Sequence, residues 1–171
     1  MPSNIEIKAK LVDPQLQRSL ARELCAKDPE LLYQEDIFFN VPEGRLKLRV
    51  FSETKGVLVF YKRPDTKGPK ASEYFLADTA TPRDLEKVLS LAYGATAKVI
   101  KQRTLYMYGR TRIHLDKVQG LGDFLELEVV MQAGEPLNQG QKEAQDLMQK
   151  LSINNSDLID CAYVDLLQGQ H

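Results

Sequence analysis

The chain has 171 residues, 43% of them hydrophobic and 27% charged, which suffices for one well-formed core and is short for two, so residues 1–171 are expected to form a single domain. Its 23 Lys and Arg against 24 Asp and Glu leave a net charge of −1, which excludes the global basic excess that drives non-specific binding to nucleic acid or membrane; any anion site must be local. No apolar run reaches the roughly 20 residues of a membrane span and the start MPSNIEIKAK lacks a signal peptide's apolar stretch, so a soluble cytoplasmic protein is expected, monomeric or homodimeric, with no nucleic-acid or membrane partner.

A first strand is expected over residues 3 to 11, where Ile5, Ile7 and Ala9 alternate with Glu6, Lys8 and Lys10. Side chains in a strand switch faces at every residue, so the charges take one face and the aliphatics the other. Asp13-Pro14 is an N-cap and first-turn pair, and Leu16, Leu20 and Leu24 follow at helical spacing. Hairpin-connected strands are expected near residues 34 to 40, 45 to 52, 56 to 63 and 70 to 76, with turn signals at Pro42-Glu43-Gly44 and Thr54-Lys55-Gly56. Within them RLKLRV sets Leu46, Leu48 and Val50 opposite Arg45, Lys47 and Arg49. Arg63 to Lys70 reads as a charged mobile loop.

Thr81-Pro82 repeats the cap chemistry ahead of a second helix carrying Leu85, Val88, Leu89 and Ala92 and ending near Gly94. Strands near 99 to 108, 111 to 118 and 123 to 131 come next, broken by Gly109 and by Gly120-Leu121-Gly122; the last sets Leu125, Leu127 and Val129 opposite Glu126 and Glu128. About eight strands are enough to close a barrel. Helices expected over 139 to 151 and 156 to 167 would cover its outside or one end. Cys25 and Cys161 have no metal-ligand spacing and read as buried thiols.

The polar faces gather the cations Lys8, Arg45, Lys47, Arg49, Lys62, Lys101, Arg103, Arg110 and Arg112 and the carboxylates Glu6, Asp116, Glu126 and Glu128. Half-exposed strands with wet charged faces satisfy this alternation one strand at a time. Several together suggest instead that the charged faces line one cavity, where cations are costly unless paired with carboxylates or a bound anion. Arg suits two-pronged contact with phosphate, Lys a point charge on it, and carboxylates suit Mg²⁺ or Mn²⁺. His114 shares the charged parity of its strand, but a lone His between an Arg and an Asp reads as a hydrogen-bonded spectator; His171, at the terminus, is expected to be disordered.

These residues resemble the CYTH family, the triphosphate tunnel metalloenzymes. NIEIK at residues 4 to 8 resembles that family's first-strand ExExK with Asn4 in place of the first Glu, and KQRTLYMYGRTRIHLDKVQGLGDFLELEV, residues 101 to 129, resembles the class IV adenylyl cyclases. YQEDIFFN, GRLKLR, the strand ending in Lys62 and AYVDLL also fit. The resemblance implies an α+β fold, an antiparallel eight-stranded barrel with helices packed outside. It implies an Mg²⁺- or Mn²⁺-dependent enzyme acting on a triphosphate-containing small molecule, either by hydrolysis or by converting ATP to cyclic AMP and pyrophosphate. Nucleoside, thiamine and inorganic triphosphates are the candidate substrates. A non-catalytic polyphosphate- or nucleotide-binding module is the alternative, raised by the lost carboxylate at Asn4. Position by position, the resemblance implies Lys8, Arg49, Lys62, Lys101 and Arg103 as substrate-binding cations and Glu6, Asp116 and Glu126 as metal-holding or tunnel-organising acids, with Glu128 sharing the face of Glu126. Arg45, Lys47 and Arg112 face the same way without a matched role.

Overall fold

The computed structural model describes residues 2–169, so the expectation for His171 lies outside the described residues. Eight strands form a closed barrel: β1 (Ser3–Lys10), β2 (Glu30–Phe39), β3 (Arg45–Ser52), β4 (Lys55–Lys62), β5 (Lys70–Thr79), β6 (Ala95–Tyr108), β7 (Thr111–Val118) and β8 (Gly122–Val130). Two meanders, β2 to β5 and β6 to β8, are joined by the β2–β6 pair, and β1 lies between β5 and β8, every pair antiparallel. Strands β2, β5 and β6 run longer than their composition suggests, because every stretch of each finds a partner on one side or the other: β5, for example, pairs with β1 over residues 70 to 73 and with β4 over residues 73 to 79.

The faces of these strands are used in an unusual sense: the aliphatic side points out of the barrel and the charged side points in. Ile5, Ile7, Leu125, Leu127, Val129 and Ile113 are all but fully buried, yet they lie in a cluster with Ala144, Leu147 and Met148 of helix α3 (Leu137–Lys150) and Ala21 of helix α1 (Pro14–Leu24). A second outer cluster sets Ile37, Leu48 and Val50 against Leu85 and Leu89 of helix α2 (Pro82–Tyr93). Each such aliphatic side chain is worth roughly 1.5–3 kcal/mol of burial. The helices therefore supply the hydrophobic core, which leaves the barrel interior free to be polar.

The helix caps divide. Asp13 accepts from the Leu16 amide at 3.1 Å, whereas Thr81 makes no side-chain cap bond, its own amide donating to Thr79 Oγ1 at 3.1 Å. Val88, expected on the buried stripe of α2, is exposed. At the β7–β8 turn Gly120 and Gly122 have φ of 81° and 106°, a backbone region costly for any side chain.

The expected helix over residues 156 to 167 is instead a short 3₁₀ turn (Asn155–Asp157), an extended stretch and the five-residue helix α4 (Tyr163–Leu167). The physical reason is that the backbone finds strand partners first: Leu158 bridges Ala9, and the Ile159 amide donates to the Lys8 carbonyl at 2.9 Å. No helix among the described residues is long and apolar enough to cross a membrane.

Candidate active site

Residues 158 to 167 close one end of the barrel. Phe38, Val99, Val118 and Phe124 form an apolar floor with Ala162, Tyr163 and Val164, and the Tyr163 ring packs tilted on Phe124 with centroids 5.0 Å apart. The floor is tied to the wall by polar contacts: Lys8 Nζ donates to the Cys161 carbonyl at 3.2 Å, Lys70 Nζ to the Asp160 carbonyl at 3.1 Å, and Arg45 Nη2 to Asp165 Oδ2 at 2.7 Å. Above the floor lies a cavity of about 290 Å³.

Its wall carries seven cations among the described residues, Lys8, Lys47, Arg49, Arg63, Lys101, Arg103 and Arg112, against the four carboxylates Glu6, Asp36, Glu126 and Glu128. Asp36 on β2 holds Arg49 through Nε and Nη2, both at 2.8 Å, and Lys47 at 3.0 Å. Behind the wall Asp116 holds Arg103 in a two-pronged pair at 2.7 Å, accepts from the Tyr163 hydroxyl at 2.9 Å and lies 3.6 Å from Lys101. Arg103 also reaches Glu126 at 2.9 Å.

The electrostatics follow from burial first and from neighbouring charges second. Burial, reinforced by Arg49 and only partly offset by Asp36, lowers the Lys47 ammonium to about 7. Burial lowers Lys8 to about 8 despite Glu126 beside it, and Lys101 is lowered by burial and by Arg103. Two carboxylates are lowered as well, which favours their charged form: burial alone would raise Glu126, but Lys8 and Arg103 hold it well below the usual carboxylate range, and Arg49 and Lys47 do the same for Asp36. Glu6 is the exception, raised by burial and by Glu128 against the pull of Arg63. The cavity is thus short of negative charge, and a bound anion would relieve it.

His114, Glu126 and Glu128 bring one ligand atom each within 4.8 Å of one another, a group able to hold a divalent cation. Glu128 makes no closer polar contact among the described residues than Arg112 Nε at 3.6 Å, and His114 Nδ1 is buried without a hydrogen-bond partner. An orphaned ring nitrogen facing carboxylate oxygens fits a metal-binding group.

Of the substrate-binding residues anticipated from the sequence, Lys8, Arg49, Lys101 and Arg103 line the cavity and Lys62 does not. Lys62 stands on the outer face, its side chain 48% exposed and its ammonium 2.7 Å from Glu43. Alternation along β4 turns Val57, Val59 and Tyr61 inward, and the inward cation is Arg63, one residue on, 2.9 Å from Glu6. Arg110 is likewise outside, at the β6–β7 turn between Glu135 and Glu143, and Arg45 is committed to Asp165. Among the anticipated metal residues Glu126 and Glu128 come together, Glu126 also pairing with Lys8 and Arg103, while both Asp116 oxygens and one Glu6 oxygen are taken by ion pairs. Asn4 does line the cavity, its Oδ1 accepting from the Tyr74 hydroxyl at 3.4 Å.

Sequence reasoning passed over Asp36 and Arg63, and it read His114, the third member of the candidate metal group, as a hydrogen-bonded spectator. Asp36 was hidden beside Glu35, since two adjacent acids point to opposite faces and only the register decides which is inside; Glu35 pairs outside with Arg83 and Lys98.

A CYTH domain family model matches residues 3–163. The chain belongs to the CYTH domain family. This CYTH domain is 25% identical over 178 aligned residues to the adenylate cyclase CyaB of Aeromonas hydrophila, covering 96% of this chain and 88% of that protein. Among solved structures, the PH1012 protein of Pyrococcus horikoshii superposes with a TM-score of 0.85 at 20% identity, over 95% of this chain and 98% of that one. HpAC1 of Hippeastrum, whose structure is described as revealing a dominant triphosphatase activity, superposes with a TM-score of 0.68 at 14% identity, over 99% and 96%. At these identities the structures share the fold, a closed antiparallel barrel with helices packed around it.

Proposed function

We propose that this CYTH domain is a metal-dependent enzyme acting on a triphosphate held in the barrel. The observation that carries the reading is the excess of cations: seven face four lining carboxylates with Asp116 behind them, and the ammoniums of Lys8, Lys47 and Lys101 are all depressed. A triphosphate chain carries about three to four negative charges spread over oxygens that match Arg forks and Lys point charges. Arg49 and Arg112 would grip non-bridging oxygens, with Lys47 and Lys101 as point charges and the Tyr163 floor excluding water below. A divalent cation at His114, Glu126 and Glu128 would neutralise charge on the phosphate and polarise a phosphoryl oxygen when bound.

Two reactions fit the same grip. Water attacking the terminal phosphorus gives a triphosphatase; the ribose 3′-hydroxyl of ATP attacking the α-phosphorus, with pyrophosphate leaving, gives a cyclase. The CyaB relative favours trying ATP, and the HpAC1 description favours looking for phosphate release from every substrate. The deciding experiment incubates purified protein with ATP, thiamine triphosphate and inorganic tripolyphosphate in Mg²⁺ or Mn²⁺ and resolves the products. Cyclic AMP or released phosphate supports an enzyme; tight binding without turnover leaves a polyphosphate- or nucleotide-binding module; neither binding nor turnover overturns the reading.

A further inference from the structure

On β7, at the row opposite Glu126 and Lys8, the interior position belongs to a histidine, and its environment is not that of a satisfied core residue. His114 is 4% exposed, yet Nδ1 has no hydrogen-bond partner. That nitrogen lies 3.8 Å from Glu128 Oε1 and 3.9 Å from Glu126 Oε2, too far for hydrogen bonds to either. A buried polar atom left unpaired costs about 1–3 kcal/mol, so an orphan facing two carboxylates calls for a partner that all three can share. Hydrogen bonding does not supply one: Arg103 and Lys8 already engage Glu126, and no group among the described residues hydrogen-bonds to His114 Nδ1.

The two nitrogen–oxygen separations are those of ligand atoms around a small cation, and the three ligand atoms all lie within 4.8 Å of one another. A metal about 2.0–2.2 Å from each donor sets neighbouring donors roughly 3–4 Å apart. We propose that His114 is a metal ligand through Nδ1, completing with Glu126 and Glu128 a mixed nitrogen and oxygen site that prefers transition-metal divalent cations, Mn²⁺ included, over Mg²⁺ and Ca²⁺. An all-oxygen site suits the hard cations, whereas an imidazole nitrogen binds them weakly and gains steadily along the first-row series. The inference rests on the metal-dependent reading above and adds to it the identity of the third ligand and the direction of metal selectivity.

The test uses the full-length protein and the metals alone, with no phosphate present, so that a failure of the triphosphate reading cannot be confused with a failure of this one. Mn²⁺ is titrated by electron paramagnetic resonance and Mg²⁺ by competition, and the echo modulation of the Mn²⁺-loaded protein is searched for an imidazole ¹⁴N coupling. The expected result is a ¹⁴N coupling in the wild type, lost in His114→Ala, with the Mn²⁺-to-Mg²⁺ affinity ratio falling about tenfold, the order of one nitrogen donor's contribution. His171 is the other histidine of the chain, and His171→Ala should leave the coupling in place. If His114→Ala does not fold, wild type and Glu128→Gln decide: loss of Mn²⁺ affinity in Glu128→Gln with ¹⁴N coupling present in wild type supports the site. Absence of ¹⁴N coupling in Mn²⁺-loaded wild type overturns it, as does an unchanged metal ratio in a folded His114→Ala.

Discussion

Arg112 and Arg103 face the same cavity but differ in what each holds up. Arg103 is 3% exposed and bonded to Asp116 and Glu126, so Arg103→Ala would strand a buried carboxylate; breaking such a pair costs about 3–5 kcal/mol, and the expected outcome is a lower melting temperature before any effect on binding. Arg112 is half-buried with, among the described residues, only Glu128 paired to it, at 3.6 Å, so Arg112→Ala should leave the melting temperature nearly unchanged and weaken tripolyphosphate binding by roughly 1.5–3 kcal/mol, measured by calorimetry. Unchanged affinity would remove Arg112 from the phosphate grip. A second outcome concerns pH. Lys47, at about 7 in the folded protein against an ordinary 10.5, is disfavoured in its charged form, and this penalty on the fold is relieved as pH rises from about 7 towards 10.5. A bound polyanion favours the charged form and raises that value, so binding should take up a proton near pH 8 and weaken as pH climbs through 7 to 9. Because the phosphate chain itself titrates, the comparison is with Lys47→Arg: the wild-type to variant affinity ratio should fall roughly tenfold over that range, and parallel profiles would show that Lys47 does not titrate with binding. Alternation alone put Lys8, Lys47, Arg49, Lys101 and Arg103 on the face that the structure turns inward, but it could not assign Lys62 against Arg63, because the inner face of β4 is apolar until the strand has ended.

At the scale of elements, patterns that repeat over many residues were legible and contacts that depend on a distant partner were not. The strands of both meanders and helices α1, α2 and α3 follow from alternation, helical spacing and turn residues. Residues 156 to 167 also have helical spacing, yet strand β1 and the open barrel end compete for them and win until Tyr163. Helix α3 lies close on β1 at Gly140, where an added Cβ would stand 2.7 Å from Ile5 Cγ1 and also press on the Met131 sulfur. Gly140→Ala gains about 1 kcal/mol of helix propensity and meets an overpacking cost of about 1–3 kcal/mol; Met131 can swing aside and Ile5, fixed in a strand, cannot. Urea unfolding should therefore show a net loss of about 1 kcal/mol, and a gain would mean that α3 does not sit this close.

For the whole molecule, a barrel with its core outside and its charge inside couples folding to the ligand. Anything bound only by the closed barrel stabilises it by mass action, about 2.7 kcal/mol at a hundredfold excess over Kd, which for a chain of this size raises the melting temperature by roughly 5–10 °C. Tripolyphosphate at millimolar concentration should produce such a rise at low salt and a smaller one at about 0.5 M salt, where exposed parts of the field are screened. No rise at either ionic strength would count against a phosphate-binding interior. The floor of the barrel has a consequence for how the protein is made. Lys8 on the first strand donates to the carbonyl of Cys161, 153 residues later, so the Tyr163 floor is made long after the strand it meets. At about 5–20 residues per second the ribosome needs on the order of 10–30 s to span that distance. For all of that interval the basic face of the first strands lacks the floor that seals it, and it is the arrival of residues 158 to 167 that converts an open basic trough into a closed-ended chamber.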